Sequence, residues 1–184
     1  MERQHGIVIR YGNNLCEGQV DTIAEHNRIF ARKGVVYIGK FGKPLRRSNL
    51  ERCNSKLPTK LILVKREEGQ YLAYVADIAE ASRKRPSIEN IPAYYCKRSD
   101  VSTWFKLASR LKPLTQETLG FWFTSSSHQK LTATLATSMA GFFYVYYDPN
   151  GSPLLSSRRN SSHPKSSRQK TLSDDFLDFS SEEF

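Results

Sequence analysis

The sequence predicts an α+β fold over residues 1–148, a small mixed β-sheet or partly open β-barrel with about two packed helices, followed by a disordered tail over residues 149–184. Three observations predict it. About six short segments are β-branched, aromatic or alternating, while only two stretches carry helical spacing. Strands and helices do not alternate regularly and no repeat is present, which argues against a doubly wound parallel sheet. The composition changes after Asp148-Pro149-Asn150-Gly151 to a Ser-, Gly-, Pro- and Arg-rich run. That run holds too little apolar area to offset its ordering entropy.

Residues 6–11 (GIVIRY) read as a first strand closed by Gly12-Asn13-Asn14. Residues 17–33 read as a helix with Val20, Ile23, Ala24, Phe30 and Ala31 at helical spacing, Asp21 and Glu25 near its start, and Gly34 as its stop. Residues 35–42 (VVYIGKFG) form the next strand, with glycines where the backbone must approach something closely. A helical turn is expected over 48–53. Residues 60–65 and 71–79 flank Glu67-Glu68-Gly69-Gln70 as a hairpin. After a basic loop (Arg83, Lys84, Arg85, Pro86), IPAYY is expected to be extended. Residues 104–111 form an alternating strand, and 120–124 (GFWFT) another. Ser125-Ser126-Ser127 then caps a helix over 128–139 with Leu131, Leu135 and Met139 on one face, and FFYVYY is a central last strand.

The chain carries 28 Lys plus Arg against 18 Asp plus Glu, a net charge of +10. Residues 149–184 hold cations and anions in equal number, so the whole excess lies on the folded part. Such an excess favours a polyanionic partner, DNA or RNA, because each neutralised phosphate releases a condensed counterion. Cys16, Cys53 and Cys96 are far apart and form no CxxC pair, which argues against a disulfide framework and a structural zinc site. Buried free thiols in a reducing compartment are expected. No stretch has signal-peptide or membrane-span character, so the expectation is a cytoplasmic protein, or a nuclear one in a eukaryotic cell, with no membrane partner.

In 104–111, alternation places Phe105, Leu107 and Leu111 on a core face and Trp104, Lys106 and Arg110 on the other. An indole beside two cations suits stacking on a base and steering its phosphates; the alternative is a Trp104 packed under a neighbouring loop. The segment GKFGKPLRR supplies Lys40, Lys43, Arg46 and Arg47 on a strand-end loop fit to touch phosphate, and it lacks the GxxxxGK[ST] pattern of a nucleotide-triphosphate loop. Asn27, near the apolar stripe of the first helix, would either read a flat polar ligand or tie down a loop. Tyr37, Tyr94, Tyr95 and Trp104 are candidates to wall a pocket. His26 has no partner at metal-ligand spacing, Ser125–Ser127 beside His128 is not a recognisable catalytic pair, and the carboxylates are scattered. No catalytic residue, metal or cofactor is assigned.

The passage HNRIFARKGVVYIGKFGKP, the hairpin after it and YYCKRSDVSTWFKL, together covering much of residues 20–112, resemble the PUA-like superfamily, which includes the EVE, ASCH and YTH modules. The ASCH-type GxKxxExR pattern is not matched between Gly39 and Arg46. The resemblance implies an RNA- or DNA-binding module that holds a flipped, often modified, base in an aromatic-walled pocket. Two alternatives stay open: a nuclease-type hydrolase of ASCH-like kind, and a protein-interaction adaptor acting through the tail. In that tail, residues 158–170 carry cations only, and the acidic segment from Asp174 to Phe184 interleaves carboxylates with Phe176, Leu177 and Phe179. The segment is similar in composition to the acidic tip of bacterial single-strand-binding proteins, which makes it a candidate for a protein partner or for folding back on the basic domain.

Overall fold

The computed structural model describes residues 3–12, 20–55 and 59–151. Strand β1 (His5–Arg10) leads to helix α1 (Thr22–Lys33), β2 (Tyr37–Phe41) and the short α2 (Arg47–Cys53). The hairpin β3 (Thr59–Glu67) and β4 (Gln70–Ser82) follows. Then come β5 (Val101–Leu107), β6 (Lys112–Leu114), α3 (Gln116–Leu119), β7 (Trp122–Thr124), α4 (Leu131–Thr137) and β8 (Phe142–Tyr147). The strands form one mixed sheet in the order β2-β5-β4-β3-β1-β8-β7, with β6 pairing β4 from off that path. β1 runs parallel to β3 and antiparallel to β8.

Both faces of this sheet are covered, which explains why β1 and β3 read as continuous apolar runs. Ile7, Leu61 and Leu63 point into one core with Ile38, Phe105 and Leu107, closed by Ile23 and Ile29 of α1 and Cys53 of α2. The alternate residues Val8, Ile62 and Val64 point into a second core with Trp122 and Val145, covered by Leu119 of α3 and Leu131 and Leu135 of α4. Two layers of helix thus sandwich a curved sheet.

Helix α1 begins later than the expected 17, although residues 13–19 lie outside the described ones. Asp21 is its N-cap, with a carboxylate oxygen accepting the backbone N–H groups of Ile23 and Ala24 at 3.0 Å each. Its buried stripe is Thr22, Ile23, His26 and Ile29; Ala24 and Ala31 face solvent. Gly34 ends it as expected, in the left-handed conformation with φ 71°. The hairpin turn lies at Glu68 and Gly69, both at positive φ (48° and 81°), the signature of a type I′ turn.

Several expectations need correction. IPAYY is not extended: Ala93–Tyr95 is a 3-10 turn. Its carbonyl ends are held by Arg85, whose guanidinium donates to Tyr95 O and Cys96 O at 2.9 Å each. The strand expected over 104–111 is β5, shifted to Val101–Leu107. The helix expected over 128–139 is α4 alone, without a side-chain cap, and Met139 is 96% exposed because the chain has already left the helix at Ser138. Cys53 is buried and Cys96 half-buried, both unbridged. Cys16 and the tail expectations for residues 152–184 lie outside the described residues. Among the described residues no helix is long and apolar enough to cross a membrane.

Candidate nucleic-acid interface

The carboxyl end of β1 and the body of β2 face one another across the mouth of the curved sheet. Between them lies a cavity of about 100 Å³. Ile9, Tyr11 and Gly12 line it from β1 and the residues just after it, Gly39 and Phe41 from β2, and Tyr95 from the 3-10 turn. Tyr95 stacks on Phe41 with ring centroids 5.9 Å apart, and Tyr94 leans on Tyr95 at 4.6 Å. Tyr95 reaches this position because β2 carries a glycine beneath it. A Cβ at Gly39 would sit 2.7 Å from Val101, 3.0 Å from the Tyr95 ring and 3.2 Å from Trp104. The Gly39 backbone N–H donates to the Tyr95 hydroxyl at 3.1 Å, fixing the ring.

Burial pushes the phenols of Tyr11 and Tyr95 up to about 12, so both are protonated at neutral pH and keep hydroxyl hydrogens to donate. Behind them, the His26 ring is fully buried and its pKa is pushed down to about 4, chiefly by that burial. It is neutral at pH 7, with Nδ1 in contact with the Thr22 carbonyl oxygen at 2.6 Å and 3.4 Å from the Tyr94 hydroxyl.

Beside this cavity lies a second, more open one of about 380 Å³. Lys43 and Arg46 are exposed on its bank, and Phe142 and Tyr144 of β8 are half-buried on its floor. Lys40 stands between the two. Its neighbours Gly39 and Phe41 line the enclosed cavity, and its Nζ sits 5.0 Å over the Phe142 ring and donates to Phe41 O at 3.2 Å. Partial burial holds the Lys40 ammonium below its ordinary pKa. Pairing between β2 and β5 shifts register between Lys40 and Phe41, a bulge that re-aims the end of β2.

The structure therefore brings Tyr95, Lys40, Lys43 and Arg46 together at the two cavities, packs Tyr94 and Trp104 against Tyr95 without lining either, and separates the other candidates. Trp104 is 2% exposed and packs under the 3-10 turn against Tyr95 (ring centroids 5.2 Å) and Ile91. It lines neither cavity, whereas the equally buried Tyr95 lines the enclosed one, which corrects the stacking reading in favour of a tryptophan packed under a loop. Asn27 is likewise occupied: its amide donates to Leu111 O and accepts from Leu111 N, each at 2.9 Å, so it ties down a loop rather than meeting a base edge. Tyr37 is half-buried against the Trp104 cluster. Arg47 pairs with Glu51 at 3.0 Å, and Arg110 is exposed on the turn after β5. Lys106 lies in register opposite Tyr37. None of these four lines either cavity.

Sequence reasoning missed Tyr11, Phe41, Phe142 and Tyr144. The bulge breaks the alternation that would have placed Phe41, and FFYVYY reads as central core because it is apolar throughout. Ser127 and His128 do not pair: the Ser127 hydroxyl meets that of Thr124 at 2.6 Å, and His128 Nδ1 lies 3.3 Å from the Tyr146 hydroxyl. Among the described residues no group of three or more His, Cys, Asp or Glu side chains could hold a metal ion.

A mixed sheet covered by helices, with an aromatic cavity at its mouth beside a basic groove, defines a small α+β module. The chain belongs to the PUA-like family: the family model described as Pua-like matches residues 7–131. No curated protein and no solved structure matches it.

Proposed function

We propose that this protein binds single-stranded or locally opened nucleic acid and holds one base, flipped out of its stack and carrying a modification, in the cavity between Tyr11, Phe41 and Tyr95. The observation that carries the reading is the joining of that cavity to the cations Lys40, Lys43 and Arg46. At about 100 Å³ the cavity suits one planar ring rather than a whole nucleotide, so the phosphates must lie outside it, where the cations are. Flipping costs a few kcal/mol, and aromatic stacking of about 1–3 kcal/mol per base together with phosphate contacts offsets it. A binding module is favoured over a hydrolase because the polar side chains at the cavity are the protonated phenols of Tyr11 and Tyr95, the Thr22 hydroxyl and the Arg10 guanidinium, and among the described residues no carboxylate or histidine able to act as a general base lines it.

The test is binding of single-stranded RNA and DNA, with unmodified and base-modified oligonucleotides, to the full chain and to Phe41→Ala. The half-buried Phe41 is expected to weaken binding by about 1–3 kcal/mol on truncation while the protein still melts cooperatively. Unchanged affinity in a folded Phe41→Ala protein would exclude the cavity as the base site.

A further inference from the structure

We infer that the open groove beside the cavity is a second nucleotide subsite, which takes the nucleotide flanking the one in the cavity: its base lies on Tyr144 beside Phe142 and its phosphate meets Lys43 and Arg46. The inference rests on the reading of the cavity as a base site and adds a second residue of ligand with a fixed polarity of contacts.

Size is the first argument. The groove measures about 380 Å³, within the range of about 300–1,000 Å³ common for small-ligand sites and nearly four times the enclosed cavity. The second argument is chemistry. Phe142 and Tyr144 are two residues apart on β8, so their side chains leave the same face of the strand; the rings meet edge to face at 85° and Lys40 lies over Phe142, which leaves Tyr144 as the ring to meet a base. Two exposed cations stand on the bank and, among the described residues, no carboxylate lines the groove, so the site favours an anion with a flat apolar part. The Asn49 side chain, hydrogen-bonded to the Tyr144 phenol, fixes that ring and adds a polar edge.

Continuity is the third argument. Phe142 of the groove is paired in register with Ile9 of the cavity, and Lys40 spans the two by lying over Phe142 while donating to the carbonyl oxygens of Phe41 and Lys43. Lys40 is thus a positioning residue that braces the loop carrying Lys43. A chain with one base in the cavity would meet the groove at its next nucleotide, because the residues that line the two sites are neighbours on β2 and across the β1–β8 pair.

The test is titration of the full chain, followed by NMR, with nucleoside 5′-monophosphates and with 5′-phosphorylated homodinucleotides of adenylate, cytidylate, guanylate and uridylate at low salt. The wild type is expected to bind at least one dinucleotide tenfold or more tightly than its mononucleotide. The double variant Lys43→Ala/Arg46→Ala, which removes two exposed side chains, should abolish that gain, with a smaller loss of mononucleotide binding because Lys40 still meets the phosphate of the base in the cavity. Tyr144→Leu should reduce the gain without removing the salt dependence that the two cations supply. Equal affinity of wild type for both ligands, or equal weakening of both by the double variant, would overturn the subsite and leave the cavity reading standing. Loss of the Phe41 dependence alone would instead sink the cavity reading. A groove that bound a synthetic peptide of residues 174–184 and no dinucleotide would be a protein-docking surface, and the inference would fall.

Discussion

Gly39 shows how much of the site is set by single residues. It removes a Cβ from β2 at the place where Tyr95, Trp104 and Val101 converge, and its N–H orients the Tyr95 hydroxyl. Trp104 lies beneath as support, so its contribution is packing rather than contact with a ligand. His26 supports the same cluster from α1, with Tyr94 and Tyr95 rings each 6.1 Å away and Glu25 adjacent in the helix. Its pKa falls from 6.5 to about 4 on folding, so the unfolded chain takes up the proton first as the pH drops. The stability this neutral ring contributes is complete above about pH 6.5 and is lost as the pH falls from there through about 4, an effect of up to about 3 kcal/mol. Chemical denaturation of the wild type and of His26→Leu between pH 7 and pH 4 checks it. The gap between the two should narrow toward acid, and parallel curves would show that His26 does not titrate in this window.

At the scale of elements, local chemistry was legible and coverage was not. Gly34 after two cations stopped α1 where the sequence indicated, and Glu67-Glu68-Gly69-Gln70 closed the hairpin where expected, because turns and caps are decided by the residues in them. The face of Trp104 was legible as well, since Phe105 and Leu107 do enter the main core while Trp104 points the other way. What lay over that face was hidden, because the 3-10 turn Ala93–Tyr95 is held by Arg85, an interaction that no periodicity encodes. The hairpin also carries a testable strain. Glu68 sits at φ 48°, a region that type I′ turns fill with Asn or Gly. Glu68→Asn should therefore stabilise the protein by about 1 kcal/mol, read as a higher urea midpoint with an unchanged m value. A lower midpoint would mean that the Glu68 side chain makes a contact worth more than the strain.

Across the whole molecule, the site is a product of sheet curvature. Its lining comes from the end of β1, the bulged end of β2, the turn before β5 and the first half of β8, segments as far apart in the chain as Ile9 and Tyr144. Composition could point to the partner but not to the place, because +10 charges spread over a domain describe a field and not a pocket. The same field gives the central claim its most direct test, the affinity of the full chain for a single-stranded oligonucleotide as a function of salt. Neutralising about three phosphates, one for each of Lys40, Lys43 and Arg46, predicts that log K falls against log salt with a slope of about −2, from the single-strand value of roughly −0.7 per phosphate. A slope near zero between low and physiological salt, or no binding at low salt, would contradict the assignment of this basic module to nucleic acid.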